Sequence, residues 1–312
     1  MASAFVATLA NPTWWAIALA AFLVRGGLLL ILLPLITLPT TASLTTDFAP
    51  VLETLLLGRS SLAGLAMMLA LAGGIVAAVA AAGLAGSWLD LALVREAAAD
   101  EDVDLPWRPV NGSIREAFSI RLTAHLPTLA ALAYAAVRLV TVGYEEFTSP
   151  GDSGMPVALR IISRAPEALV LVVLAWLLGE TVGSLAARRA AIGLGRSAAL
   201  RESVGQVLRP RGLATLAITS AALIGVWLPF EGTVRLAWEH IRAYLLDSAP
   251  SVPLAAALVL LISTYVLGLA VVGAALAWRA TAWTAEVAPP PVLDRGLPLG
   301  PAEAAGPEIA RG

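Results

Sequence analysis

Residues 167–187 read EALVLVVLAWLLGETVGSLAA, and this segment indicates the fold class of the chain. A helix needs about 20 mainly apolar residues to cross the ~30 Å hydrocarbon core of a bilayer, at about 1.5 Å per residue. Residues 168–179 contain no charged side chain, and Glu180 then places a carboxylate where hydrocarbon is expected. The stretch therefore predicts a transmembrane helix that carries an ionisable group.

Five further stretches of the same kind predict a polytopic membrane protein. Together, the six candidate stretches are 14–38, 62–84, 126–142, 167–187, 213–230 and 253–278. The chain is 59% hydrophobic and 13% charged, whereas soluble domains average about 25% charged residues. We predict an all-α protein with six transmembrane helices. We expect the first stretch to remain in the mature protein, because it lacks the basic start and the cleavage site of a signal peptide.

The residue types that are missing exclude several chemistries. All 20 basic residues are arginine, which removes lysine Schiff-base chemistry and the lysine of a phosphate-binding loop. The absence of cysteine removes disulfides, thiolate nucleophiles and cysteine-based metal sites. No motif surrounds the two histidines, His125 and His240. We predict no catalytic residue, no metal and no cofactor, and the net charge of -2 argues against nucleic-acid binding.

Arginines are unevenly divided among the connecting segments, and this division predicts the orientation. Short loops rich in arginine stay in the cytoplasm. The loops on one side contain Arg95, Arg108, Arg115, Arg188, Arg189, Arg196, Arg201, Arg209 and Arg211, and those on the other contain Arg59, Arg160, Arg164, Arg235 and Arg242. We predict a multi-pass protein with both termini in the cytoplasm.

Similar short motifs recur before three of the apolar stretches. Residues 114–117 (IREA) lead to 126–130 (LPTLA), and residues 200–203 (LRES) lead to 213–217 (LATLA). Residues 9–13 (LANPT) precede the first stretch as a shorter copy. We predict three hairpin repeats packed into one bundle over residues 1–286. The alternative is chance similarity among helices rich in alanine and leucine.

Amphipathic segments are predicted outside the apolar stretches. Helical spacing of apolar residues predicts helices in the outer interface, one with Val234, Trp238, Ile241 and Leu245 and one with Phe48, Val51, Leu52 and Leu55. Residues 287–312 are rich in Pro, Gly and Ala, and we predict a disordered cytoplasmic tail there.

A resemblance to a known family rests on three of these motifs. They are the Arg-Glu pairs Arg115-Glu116 and Arg201-Glu202, Asn11-Pro12 ahead of the first stretch, and the arginine-rich turn before Leu213. The chain resembles bacterial six-helix membrane proteins related to the membrane domain attached to some glycerophosphodiester phosphodiesterases. The resemblance covers about residues 1–286 and implies the six-helix architecture in a bacterial plasma membrane. We expect the soluble phosphodiesterase barrel to be absent, so the resemblance implies no catalytic residue.

Two charges inside the apolar stretches form a candidate pair. Arg25 lies near the middle of the first stretch, and Glu180 lies at a similar depth in the fourth. Either charge alone is far costlier in hydrocarbon than the pair, so we predict that Arg25 and Glu180 meet. The pair is either a structural contact, which we favour, or a proton or solute site in which Glu180 titrates.

Other charges lie at the ends of the third stretch. Arg121 and His125 are four residues apart and share a helix face. This face is a candidate for binding a lipid phosphate, although snorkelling of Arg121 to the interface is the simpler alternative. At the opposite end, we expect Arg138 to reach Glu145 or Glu146.

Two classes of function remain. The first is a non-enzymatic integral membrane protein that scaffolds or modulates a partner protein or a lipid, and we favour it because no catalytic motif is present. The alternative is a small transporter or permease subunit with an intramembrane Arg25–Glu180 site. The expected partners are membrane lipids and a protein, or a second copy of this chain. Small residues such as Gly73, Gly74 and Ala78 in the second stretch permit close helix contacts of that kind.

Overall fold

The computed structural model describes residues 2–32, 35, 62–99, 113–148, 156–246 and 252–287, which form helices and the turns between them. We number the helices in chain order. They are α1 (Ala2–Ala10), α2 (Pro12–Leu32), α3 (Leu62–Ala99), α4 (Ile114–Ala124), α5 (Leu126–Thr148), α6 (Val157–Arg164), α7 (Pro166–Ala191), α8 (Arg196–Val207), α9 (Pro210–Leu246) and α10 (Val252–Val287).

Six of these helices, α2, α3, α5, α7, α9 and α10, are long and apolar enough to cross a membrane. The prediction of an all-α polytopic membrane protein with six spans is therefore confirmed. The helices extend beyond the apolar stretches that predicted them. α3 continues to Ala99 and α10 to Val287, past the predicted limits at residues 84 and 278. Some polar residues in these extensions, such as Asp90 and Thr284, are buried by other helices of the bundle, whereas Arg95 and Glu96 are exposed.

The amphipathic segment around residues 234–245 differs from the prediction in one respect. It is the end of α9 and not a separate helix, and α9 continues through Pro229. The apolar face packs within the bundle, because Val234 and Ile241 are buried in a cluster with Leu261 of α10. The second predicted amphipathic segment, at residues 48–55, and the predicted tail beyond Val287 lie outside the described residues.

Each of the four short helices leads into a long one through a proline. α1 is followed by Pro12, α4 by Pro127, α6 by Pro166 and α8 by Pro210. Proline is tolerated in the first turn of a helix, where its missing N–H would have no helical partner. The arrangement places a short helix before α2, α5 and α9 alike, at the positions of the recurring motifs. The interpretation of these three copies as hairpin repeats stays a prediction.

One end of the bundle, which we call the closed half, carries α1, α4 and α8. Clusters of buried side chains join most of the helices at this end. Trp14, Leu93 and Ala277 join α2, α3 and α10, while Leu185 and Trp283 join α7 to α10. Two further buried clusters join α4 and α7 to α3 and to α8. The clusters of the closed half are therefore linked through the helices that they share.

The opposite end carries α6, and we call it the open half. Its buried side chains form two separate clusters in the described part of the chain. Ala135 and Ala168 join α5 to α7, whereas Phe230 and Ile31 belong to a cluster of α2, α9 and α10. The described side chains among residues 66–79 of α3 are all exposed. The helices thus pack together at one end and stand in separate groups at the other.

Candidate functional site

Four helices of the closed half meet at a ring of alternating charges. Arg25 of α2 places Nη1 2.9 Å from Oε1 of Glu180 on α7 and 3.0 Å from Oδ2 of Asp90 on α3. Arg121 of α4 donates from Nη1 to Oε1 of Glu180 at 3.1 Å and from Nη2 to Oδ2 of Asp90. Each guanidinium therefore bridges both carboxylates. We call Arg25, Asp90, Arg121 and Glu180 the charge ring.

A break in α2 positions Arg25. Residues Leu23–Gly27 form a π-helical turn, and Gly26 adopts a φ of 105°, which L side chains rarely adopt. The stem of Arg25 then passes Gly86 of α3, where a Cβ would lie 2.7 Å from Cγ of Arg25. The glycines at these two positions let a charged side chain cross between α2 and α3 to reach the ring.

Two glycines of α7 bring α4 close enough for Arg121 to reach Glu180. A Cβ at Gly179 would lie 3.0 Å from the carbonyl oxygen of Ala124, and one at Gly183 would lie 3.4 Å from Cα of Arg121. Small residues at a helix crossing permit this backbone approach. The spacing of Gly179, Glu180 and Gly183 therefore sets both the packing of α4 and the position of the carboxylate.

The ring is buried on one side and partly open on the other. The side chains of Arg121 and Asp90 are 8% and 12% exposed, whereas those of Arg25 and Glu180 are each 25% exposed. A cavity of about 10 Å³ adjoins Asp90 and Arg121, which is about the space that one water molecule needs. Nε of Arg121 is buried without a hydrogen-bond partner among the described residues. The space beside the ring is thus of the size of one water molecule.

Two further arginines lie within electrostatic range of the ring. Arg188 of α7 interacts electrostatically with Asp90 and Arg121, and Arg279 of α10 with Glu180 and Arg25. Arg188 is only 2% exposed, and Arg279 is half-buried. Neither of them is in ion-pair contact with the ring carboxylates, which are held by Arg25 and Arg121.

The structure brings both predicted pairs of site residues to the ring. Arg25 and Glu180 lie in ion-pair contact, as their similar depths in the sequence predicted. His125 places Nε2 3.7 Å from Oε2 of Glu180, and its Nδ1 lies 2.8 Å from the carbonyl oxygen of Arg121. The snorkelling alternative for Arg121 is wrong, because the side chain is buried against two carboxylates. The role of Arg121 and His125 in binding a lipid phosphate stays a prediction.

Sequence reasoning missed Asp90, Arg188 and Arg279 as site residues. All three lie in helix extensions beyond the apolar stretches that predicted the spans. A signal for Asp90 was present. It interrupts the run of residues 84–94 (LAGSWLDLALV), whose apolar residues continue at helical spacing past the predicted end of the second span. A single carboxylate on such a face indicates a partner in the bundle.

The charges at the other end of α5 form different pairs from those expected. Arg138 contacts Glu167 at 3.0 Å, so the expected pair with Glu145 or Glu146 is wrong. Glu146 is buried and pairs instead with Arg160 at 2.7 Å and Arg164 at 3.1 Å. The predicted topology placed these charges at one end of the bundle, but the packing of α5, α6 and α7 decides which of them pair.

These features define a polytopic α-helical membrane protein with a charge ring in its packed end. Comparisons with protein-family models, curated proteins and solved structures find no match to this chain. The resemblance to the membrane domain of glycerophosphodiester phosphodiesterases therefore stays a prediction. Among the described residues, no group of three or more His, Asp or Glu side chains is arranged to hold a metal ion.

Proposed function

We propose that this chain is a non-enzymatic integral membrane protein that scaffolds or modulates a partner protein or a lipid. The observation that supports this proposal is the charge ring. Its carboxylates are each held by two guanidinium groups, and the cavity beside it has room for about one water molecule. Charged groups arranged in this way hold four helices together.

A transporter needs a different kind of site. A solute or ion site in a transporter lies in a cavity that opens in turn to the two sides of the membrane. The ring is instead covered on the side of Arg121 and Asp90. The open half offers what a scaffold needs, namely apolar helix surface that can contact neighbours in the bilayer. The described residues among 66–79 of α3 are the clearest example, because all of their side chains are exposed.

The first test is gentle extraction of the tagged full chain from its own membrane, followed by native mass spectrometry. We expect a stoichiometric protein or a retained lipid that survives dilution and washing. A lone chain that carries neither would overturn the proposal. A chain bound to a soluble small molecule would overturn it in favour of transport.

A transporter is the second candidate, and one observation favours it. α2 is interrupted at Leu23–Gly27, beside the ring, and Glu180 is partly exposed there. Broken helices often line the substrate site in transporters. Proteoliposomes that contain a pH-sensitive dye would test for proton flux in the wild type, in Glu180→Gln and in the distant control Glu167→Gln. We expect no flux above empty liposomes. A flux that only Glu180→Gln abolishes would establish the transporter instead.

The proposed orientation, with both termini in the cytoplasm, has a direct test because the chain contains no cysteine. Ser3 on α1 and Ser163 on α6 are both exposed and lie at opposite ends of the bundle. An impermeant maleimide applied to intact cells should label Ser163→Cys, and should label Ser3→Cys only after permeabilisation. The reverse pattern would show that the protein is inserted the other way round.

A further inference from the structure

A small cavity lies on the buried side of the charge ring, between α3, α4 and α7. Its volume is about 10 Å³, and the residues that line it come from these three helices and are all buried. The lining combines apolar side chains with the polar side chains of Ser87, Asp90, Arg121 and Arg188. Buried polar groups in proteins are almost always hydrogen-bonded. The partners of these four side chains therefore indicate what the cavity holds.

Arg121 has one nitrogen that the ring does not use. Its Nη1 donates to Oε1 of Glu180 at 3.1 Å, and its Nη2 donates to Oδ2 of Asp90. Its Nε is buried and has no hydrogen-bond partner among the described residues. Arginine keeps its charge in proteins, so this donor cannot be removed by deprotonation. A buried donor without an acceptor carries the full cost of its desolvation, so Nε of Arg121 needs an acceptor.

Arg188 differs from Arg121 because neutral groups engage all three of its nitrogens. Its Nε donates to Oγ1 of Thr284 at 2.9 Å, and its Nη2 donates to the carbonyl oxygen of Ala280 at 3.1 Å. Its Nη1 donates to the carbonyl oxygen of Ser184 at 3.0 Å and also to the hydroxyl of Ser184. Within the described part of the chain, Arg121 is therefore the lining residue with a buried side-chain atom that lacks a partner.

Asp90 and Ser87 add hydrogen-bond acceptors to the same cavity. Oδ1 of Asp90 accepts from Nη2 of Arg25 at 3.2 Å, and each oxygen of a carboxylate can accept about two hydrogen bonds. Oγ of Ser87 donates to the carbonyl oxygen of Gly83 at 2.8 Å, and a hydroxyl that donates can still accept. One donor and two acceptors therefore line the cavity, and a molecule that both accepts and donates hydrogen bonds would satisfy them.

We infer that one ordered water molecule occupies this cavity, accepts a hydrogen bond from Nε of Arg121, and donates to Asp90 and Ser87. The volume of about 10 Å³ is roughly that of one water probe, and buried waters typically make about three hydrogen bonds. An anion fits less well, because the carboxylate of Asp90 lines the cavity and repels negative charge. The water links α3 to α4 within the bundle. The inference goes beyond the proposed function, which concerns partners outside the bundle.

A high-resolution electron cryo-microscopy map of the full wild-type chain, bound to an antibody fragment that adds mass, tests the inference directly. We expect a density peak about 3 Å from Nε of Arg121 and within hydrogen-bond distance of Asp90 or Ser87. A map that shows other buried waters but no peak in this cavity would overturn the inference. This measurement needs no variant, so it does not depend on how a substitution affects folding.

A pair of isosteric variants tests whether the cavity is polar. Ala187 lines the cavity, so both Ala187→Thr and Ala187→Val fill it and displace the water, but only threonine supplies a hydroxyl that can accept from Arg121. We expect Ala187→Thr to unfold at least about 2 °C above Ala187→Val in the same detergent. Ala191 lies in the same buried cluster but does not line the cavity, so Ala191→Val should be at least as stable as Ala191→Thr. The same order at Ala187 would overturn the inference.

A buffer comparison separates water from an anion in the cavity. A ligand that binds only the folded protein raises its stability as the ligand concentration rises. The unfolding temperature of the wild type would be measured in sodium chloride and in sodium gluconate at equal ionic strength, because gluconate is too large for the cavity. We expect equal unfolding temperatures. A higher value in chloride that Ala187→Val abolishes would overturn the assignment to water and indicate a chloride site.

Discussion

α3 runs through both halves of the bundle, and its side chains are exposed at one end and buried at the other. In the open half Val76 is 68% exposed, whereas in the closed half Leu93 is 2% exposed. Both ends are rich in apolar residues. Lipid tails are as apolar as leucine, so apolar surface alone does not drive helices together in a bilayer. Apolar composition alone therefore does not decide which part of α3 packs against other helices.

The largest expected effect comes from removing a carboxylate of the closed half. Asp90→Asn leaves the guanidinium groups of Arg25 and Arg121 with Glu180 as their remaining ion-pair partner in the ring. Breaking a buried ion pair by removing one partner typically costs roughly 3–5 kcal/mol. We expect a large fall in the unfolding temperature in detergent, measured by scanning fluorimetry. A variant as stable as the wild type would show that the ring does not hold the closed half together.

A smaller effect is expected from truncating apolar side chains at the two ends of α3. Leu93→Ala removes a buried side chain from the closed half and should destabilise the protein by about 2 kcal/mol or more. Val76→Ala removes an exposed side chain and should have little effect. Chemical unfolding of both variants in the same detergent measures the difference. Equal destabilisation would mean that the exposed end of α3 is covered in the assembled protein.

Glycine substitutions at a close helix contact and at an exposed helix face give a third test. A Cβ at Gly273 would lie 2.9 Å from the backbone oxygen of Trp15, whereas one at Gly74 meets nothing within 4 Å. Gly273→Ala forces α2 and α10 apart and should cost about 1–3 kcal/mol. Gly74→Ala should raise helix stability by up to about 1 kcal/mol. Thermal unfolding checks both, and a loss of stability in Gly74→Ala would indicate a close helix contact at that face.

The smallest effect is expected at the exposed pair Arg138 and Glu167. Their side chains are 40% and 47% exposed, so the surroundings screen their attraction. Glu167→Gln should leave the unfolding temperature unchanged within error, in contrast to Asp90→Asn. A shift in unfolding temperature comparable to that of Asp90→Asn would contradict the distinction between the two halves. An exposed ion pair would then contribute as much to stability as the charge ring.

One ion pair of the charge ring was predictable from the positions of its residues along the apolar stretches. The other contacts of the ring depend on how the helices pack. Arg25 and Glu180 are similarly far along their apolar stretches, so their meeting was predictable if the two helices were neighbours. Asp90 was missed because the predicted second span ended at residue 84, before the carboxylate that completes the ring. Hydropathy marks where a helix can face lipid, but the helix itself can continue further, as α3 does through the buried Asp90 to Ala99.

The class of protein can be predicted from the sequence, because length and apolar composition suffice to predict six helices that can cross a bilayer. The ion pairs could be identified only in the folded bundle. Arg138 contacts Glu167 instead of its near neighbours in sequence, and Asp90 lies between Arg25 and Arg121 from two other helices. The physical reason is that hydrophobicity is a property of each segment alone, whereas an ion pair depends on the distance between two side chains, which helix packing sets.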